Sequence, residues 1–215
     1  MFSIETFTFN PFQENTYILY NEKGKALIID PVTYFPAEVQ TLKDFILRRG
    51  LQPAGLLNTH CHLDHIFGNK WLAEDHSLTP QIHMDEATIH NASHSVGLQY
   101  GLEFDPYKGD FIYLKEGDTI SLDQDELDIL LVPGHSPGSL AFYSKNQDFV
   151  ISGDALFYES IGRTDLPGGD QEQLLQSIKE KLYNLPPETV VYPGHGPKTS
   201  IGYEQTNNPF VQVTS

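Results

Sequence analysis

The chain has 215 residues, 39% hydrophobic and 20% charged; that is enough for one substantial core and too little for two enzyme-sized ones, so a single domain over 1–215 is expected and disorder is excluded. A formal charge of −16 argues against nucleic acid as a partner, because proteins that grip phosphate backbones present clustered Lys and Arg. The opening MFSIETFTFN has neither a basic start nor a long apolar core, and the single cysteine, Cys61, permits no intrachain disulfide; the expectation is a cytoplasmic protein with no membrane association and no obligate protein partner.

IETFTF, NTYILY and KALIID are rich in β-branched and aromatic residues and are separated by Pro, Asn and Gly, which predicts an antiparallel start to a sheet. A helix is predicted over 36–49, opening at Pro36 and closing at Gly50, with Val39, Leu42, Phe45 and Ile46 as its apolar stripe and Arg48 and Arg49 at its C-terminal pole. AGLLN at 54–58 reads as a buried strand with THCHLDH directly after it, and His65 as the opening of a short helix through Trp71 and Leu72. Within 81–107, QIHM suits a short strand and DEATIHNA a helical turn, while NASHSVGLQYGLEF has little periodicity and reads as a surface loop or a lid facing substrate.

FIYLKEG, LDILLVPG, SLAFYS and DFVISGD return to strands, with KNQ as a hairpin turn. A further helix is predicted between about 170 and 182, where Asp170 and Gln173 form a capping box and Leu174, Leu175, Ile178 and Leu182 share one face. TVVYPGHG supplies a last strand. This order of elements suits two layers of sheet with helices outside.

Groups that bind metals fall at the ends of these strands. His60, His62, Asp64 and His65 share one loop, His135 follows LLVPG, Asp154 follows FVISG, and His195 follows VVYPG. A strand end plus glycine presents side chains to one rim while keeping the backbone close. An isolated His-x-His pair is weak evidence, but three imidazoles and a carboxylate in six residues are hard to explain as surface decoration. If His60, His62 and His135 hold one ion and Asp64, His65 and His195 another, Asp154 can bridge them, with the ions about 3.5–4 Å apart. Such donors suit zinc, iron or manganese. The scattered His76, His83, His90 and His94 read as surface or structural histidines, and Cys61 as a small packing residue. Asp30, ending KALIID, either braces the metal loop or closes a turn.

THCHLDH, VPGHSPGS, ISGDALF and YPGHGPKTSIGYEQTNNPF together resemble the metal-binding segments of the metallo-β-lactamase superfamily, across essentially the whole chain. Within it, SIGRTDLPGGD and GHGPKTSIGYEQTNNPF are most similar to the short type of glyoxalase II, the hydroxyacylglutathione hydrolases. The resemblance implies an α+β fold, a four-layer αβ/βα sandwich of two mixed sheets with outer helices. It also implies two divalent metal ions, zinc foremost with iron or manganese as substitutes, held by His60, His62, His135, Asp64, His65, His195 and a shared Asp154. The implied reaction is hydrolysis of S-lactoylglutathione to glutathione and lactate by an activated hydroxide, with Asp64 orienting or deprotonating the nucleophile. The chain ends before the C-terminal helical domain of the longer glyoxalase II enzymes, which leaves Arg163, and more weakly Lys198, as candidate contacts to a small-molecule, glutathione-linked thioester.

The similar persulfide dioxygenases, which use a single iron and oxygen, share the histidine loop and GRTD, but YPGHGP favours a hydrolase. Other hydrolase substrates remain alternatives, β-lactams and RNA being disfavoured by the missing secretion signal and the acidic charge. A non-catalytic metal-binding interaction protein is the reading from a different class, and the intact ligand set speaks against it.

Overall fold

Two runs rich in β-branched and aromatic residues, β1 (Ser3–Phe9) and β2 (Glu14–Tyr20), pair antiparallel from Ser3↔Tyr20 to Phe9↔Glu14, and β3 (Lys25–Ile29) continues the antiparallel order. The computed structural model describes residues 1–211. After β3 the chain crosses through α1 (Pro36–Arg49) to β4 (Gln52–Leu57) and through α2 (Asn69–His76) to β5 (Pro80–His83), both joining in parallel. Helix α3 (Ala87–Gln99) then leads to β6 (Ile112–Leu114), parallel to β5, which completes a mixed sheet ordered β1-β2-β3-β4-β5-β6.

The second mixed sheet is an antiparallel meander of β7 (Thr119–Leu122), β8 (Asp125–Leu131), β9 (Leu140–Ser144) and β10 (Phe149–Gly153). A short ribbon, β11 (Leu156–Phe157) with β12 (Ser160–Ile161), and the helix α4 (Gln171–Ser177) separate β10 from its parallel neighbour β13 (Val190–Pro193). The sheet ends at β14 (Thr199–Ser200), followed by α5 (Ile201–Asn207).

The period-2 alternation of strands decides the layering. Tyr17, Leu19, Leu27 and Ile29 of the first sheet meet Leu127, Ile129, Phe142 and Ile151 of the second in one buried cluster between the sheets. The alternate residues Ile18, Ala26, Ile28 and Leu56 face outward onto Leu42, Phe45 and Ile46 of α1 and Leu72 of α2. On the far side, Ala141, Val150 and Val191 pack on Leu174, Ile178 and Leu182 of α4 and its π-helical extension, and on Ile201 of α5. The result is helix, sheet, sheet, helix.

Helix α1 is bounded as its sequence predicts: Pro36 opens it, Gly50 closes it in the left-handed region at φ 62°, and Glu38 accepts from the N–H groups of Tyr34 and Phe35. Two local expectations are corrected. His65 ends a single 3-10 turn (Leu63–His65), and the following helix begins only at Asn69. Residues 91–99 of the aperiodic stretch are not a loop but the body of α3, whose buried side is His90, Ser93 and Gly97, while 100–104 lie beyond the helix as expected. With polar and small residues inward, the apolar period that marks a helix is missing.

Candidate metal centre

The metal-binding candidates lie where strands of both sheets end. β4 runs into Asn58–His65, β8 into the turn carrying His135, β10 into Asp154, and β13 into Gly194–His195. Glycine is required at the last of these: a Cβ on Gly194 would fall 2.0 Å from Asp154 Oδ1. Gly134 combines a φ of +127° with a close approach to α4, where a Cβ would lie 2.2 Å from the Leu174 nitrogen.

Two donor groups result. In the first, His135 Nε2 lies 2.9 Å from His62 Nδ1 and 3.1 Å from His60 Nε2. In the second, Glu14, His65, Asp154 and His195 converge: His65 Nε2 is 3.1 Å from Glu14 Oε2 and 3.4 Å from Asp154 Oδ1, and His195 Nε2 is 2.5 Å from Glu14 Oε2 and 3.4 Å from Asp154 Oδ2. Asp154 Oδ2 also lies 3.5 Å from His135 Nε2, so this carboxylate touches both groups. Asp64 stands beside the second group, its Oδ2 3.7 Å from His195 Nε2, and lines the cavity above it.

No sequence signal points to Glu14. It opens β2 in the unremarkable run QENTY, and only the docking of that strand on the 194–196 turn brings it inward. Glu14 bridges to His195, the Asn15 N–H donates to the Gly194 carbonyl at 2.7 Å, and Asn15 Nδ2 donates to the Pro193 carbonyl at 3.1 Å. No local pattern signals a contact between opposite ends of the chain.

Outer contacts orient the rings. His135 Nδ1 donates to the Arg163 carbonyl at 2.7 Å, and His195 Nδ1 to the Phe12 carbonyl at 3.1 Å. A carbonyl can only accept, so Nδ1 carries the proton in each ring and Nε2 is the atom that would meet a cation. His65 Nδ1 meets Asp30 Oδ2 at 3.0 Å, and Asp30 also accepts from the Thr59 N–H and hydroxyl, which makes it a brace of the histidine loop. Glu86, another residue the sequence did not signal, is fully buried and ties the two loops of the first group. It accepts from the Cys61 N–H at 2.7 Å, the Gly138 N–H at 2.7 Å and the Ser136 hydroxyl at 2.5 Å.

Electrostatics differ between the groups. Burial and the neighbouring imidazoles hold His60 well below the ordinary range and His62 down to about 3, so these rings are neutral donors. Burial also disfavours charge on His65 and His195, but carboxylates outweigh it: Glu14, Asp154 and Asp30 hold His65 well above its usual range, and bonds to Asp154 and Glu14 push His195 up to about 11. Burial raises Glu14 to about 7 against the pull of His65, whereas Asp154, despite burial, is held well below the carboxylate range, chiefly by His65 and His195. Glu14 Oε2, His65 Nε2 and Asp154 Oδ1 are buried without a regular hydrogen-bond partner. Orphaned donor atoms converging with this charge fit a divalent cation, which would displace the protons.

A cavity of about 310 Å³ opens above both groups, walled by α3 and by the segment from Arg163 to Pro167. Arg163 is part of the lining, and its guanidinium pairs bidentately with Asp165 at 2.7 Å. Lys198 is exposed and lies outside the lining. Among the described residues no helix is long and apolar enough to cross a membrane.

Comparison with known proteins agrees with this architecture. Residues 9–195 match the family described as the metallo-beta-lactamase superfamily, and the chain belongs to it. It is similar to the probable metallo-hydrolase YqgX of Bacillus subtilis (41% identical; 94% of this chain and 93% of the relative) and to the hydroxyacylglutathione hydrolase GloC of Haemophilus influenzae (32%; 99% and 100%). Among solved structures it is similar to BLEG-1 B3 metallo-beta-lactamase (TM-score 0.89, 34% identical; 97% of this chain and 99% of that one) and to TTHA1623 in a di-iron-bound form (TM-score 0.87, 37% identical; 96% and 100%). Membership of this superfamily supports a metal-dependent hydrolase with a two-sheet core.

Proposed function

We propose that this protein hydrolyses thioesters, with S-lactoylglutathione, cleaved to glutathione and lactate, as the reference substrate. The observation that carries the reading is the convergence of two donor groups on one cavity floor, joined by Asp154, which lies 3.5 Å from His135 and 3.4 Å from His195. His60, His62 and His135 would hold one ion, and Asp64, His65 and His195 the other, with Asp154 shared and Glu14 as a further donor to the second. Bound divalent cations supply an activated water near neutral pH and polarise the scissile carbonyl. Zinc, iron and manganese all suit these donors, and the di-iron form of TTHA1623 supports iron alongside zinc.

The chain's own residues supply the rest. Asp64, facing the cavity, orients the nucleophile and accepts its proton. Arg163 is the cation available to a carboxylate of the thiol half, and Lys198 can assist only from outside the cavity. A thiol of pKa about 8.5 departs as thiolate without a dedicated acid. Seven converging donors favour this reading over a mononuclear-iron dioxygenase, whose iron needs only two histidines and one carboxylate. GloC, 32% identical over nearly the whole chain, supports the glutathione-linked substrate.

Steady-state hydrolysis of S-D-lactoylglutathione, with metal content assayed on the same sample, tests the reading. Turnover with about two metals per chain is the expected result. One iron, negligible hydrolysis and oxygen uptake with glutathione persulfide would replace it with the dioxygenase, and faster cleavage of a cephalosporin than of any thioester would replace it with a β-lactamase. Arg163→Ala is expected to raise KM for glutathione thioesters more than for a neutral thioester.

A further inference from the structure

The cavity above the metal centre has a chemical character that the hydrolase reading does not use. Its walls are apolar: Leu63 on the floor, Ile89 and Val96 along α3, and Leu166 and Pro167 opposite. Phe12 and Tyr100 meet edge-on at 6.4 Å and close one end. The cation in this lining, Arg163, spends the Nε–Nη2 edge of its guanidinium on Asp165 and keeps its remaining N–H donors. Glutathione carries two carboxylates and an ammonium; Arg163 can pair with one carboxylate, and seating the other charges against these apolar walls would strip them of water without partners.

One polar atom interrupts the apolar wall. Ser93 is 2% exposed, lines the cavity, and its hydroxyl has no hydrogen-bond partner. Serines within helices ordinarily spend that hydroxyl on a carbonyl of the preceding turn. Ser95, two residues on, donates to the Ala92 carbonyl at 2.7 Å. A buried hydroxyl left unpaired is costly and calls for an explanation.

We infer that the α3 wall is an acyl-binding subsite, selective for acyl groups that join an apolar chain or ring to a single hydrogen-bonding substituent, and that Ser93 pairs with that substituent. The inference rests on the hydrolase reading for the bond that is cleaved. The charged ends of the thiol half then extend past Arg163 toward solvent. A cavity of about 310 Å³ stands at the lower end of the ~300–1,000 Å³ typical of ligand pockets, ample for an aryl or branched acyl group and loose around lactoyl.

The test crosses three acyl groups, lactoyl, mandeloyl and phenylacetyl, with two thiols, glutathione and the uncharged N-acetylcysteamine, on the metal-loaded enzyme. Mandeloyl is expected to exceed lactoyl in kcat/KM by about tenfold or more on both thiols, the range that apolar complementarity supplies. Ser93→Ala is expected to shrink the mandeloyl-to-phenylacetyl ratio by about tenfold. Equal use of lactoyl and mandeloyl, or an unchanged ratio in Ser93→Ala, overturns the subsite. Loss of any preference for glutathione with the acyl order intact would remove the glutathione half of the hydrolase reading and keep the subsite.

Calorimetric binding of the free acids separates the two ideas where no thioester turns over. Mandelate should bind more tightly than lactate, and Ser93→Ala should erode mandelate affinity relative to phenylacetate while metal content holds. Chelation by the α-hydroxyacid is common to wild type and variant, so the ratio isolates Ser93. Mandelate binding no tighter than lactate would overturn the subsite by itself.

Discussion

The two halves of the metal centre are built in opposite ways. The first is three imidazoles and no carboxylate, two of them separated by one residue in a loop and the third on the turn after β8. The second mixes two buried carboxylates with two imidazoles whose affinity for a positive charge those carboxylates raise, drawn from β2, the histidine loop, and the ends of β10 and β13. Local spacing suffices to assemble most of the first. The second exists only when both sheets are packed, and its charge favours harder ions than a triad of imidazoles does.

Removing a donor of the first group should have the largest effect. His135→Ala deletes the ring shared by both short contacts of the triad and its anchor on Arg163. It should lose one metal equivalent by elemental analysis and lower kcat/KM by more than the ~10–100-fold typical of outer-shell changes. Retained stoichiometry would dissolve the division into two halves.

The comparison is sharpened by pitting Glu14 against Asp64. Glu14→Gln keeps shape but removes a buried charge from the second group; it should weaken the second ion by about 10–100-fold while the first stays bound. Asp64→Asn, whose carboxylate opens on the cavity, should lower kcat more than metal content. The reverse pattern, measured by stepwise metal titration, would make Asp64 the stronger donor and Glu14 a bystander.

Glu86 tests whether the first half is as local as its spacing suggests. Glu86→Ala orphans the Cys61 and Gly138 N–H groups and the Ser136 hydroxyl. At ~1–3 kcal/mol for each orphaned buried group, a loss of about 3 kcal/mol or more in urea denaturation is expected, with weaker binding of the first ion. Unchanged stability would show that the histidine loops hold their geometry unaided. The smallest effect should come from Lys198→Ala, exposed and outside the cavity; a KM change beyond about twofold would contradict this placement, since surface substitutions usually stay within ~0.5 kcal/mol.

Helices α1 and α3 show where sequence reading succeeds and where it stops. α1 buries Leu42, Phe45 and Ile46 against a sheet, so its period and caps are written in the chain. α3 buries His90, Ser93 and Gly97 and turns Ile89 and Val96 to the cavity. A helix that serves a site instead of a core spends its apolar residues on the ligand, and the periodic signal disappears.

Two-sheet layering, the strand-end glycines, and His60, His62, His65, His135, Asp154 and His195 as candidate donors are legible in the sequence, because alternation, turn chemistry and dense histidine spacing are local properties. Only the packing of the two sheets brings Glu14 against them, sets Asp64 beside the cavity, lets Glu86 couple the two histidine loops, and puts an unpaired Ser93 in an otherwise apolar wall. Each of these depends on which strand end meets which loop across the sandwich, and that is settled by burial of the shared core, not by the residues flanking the site.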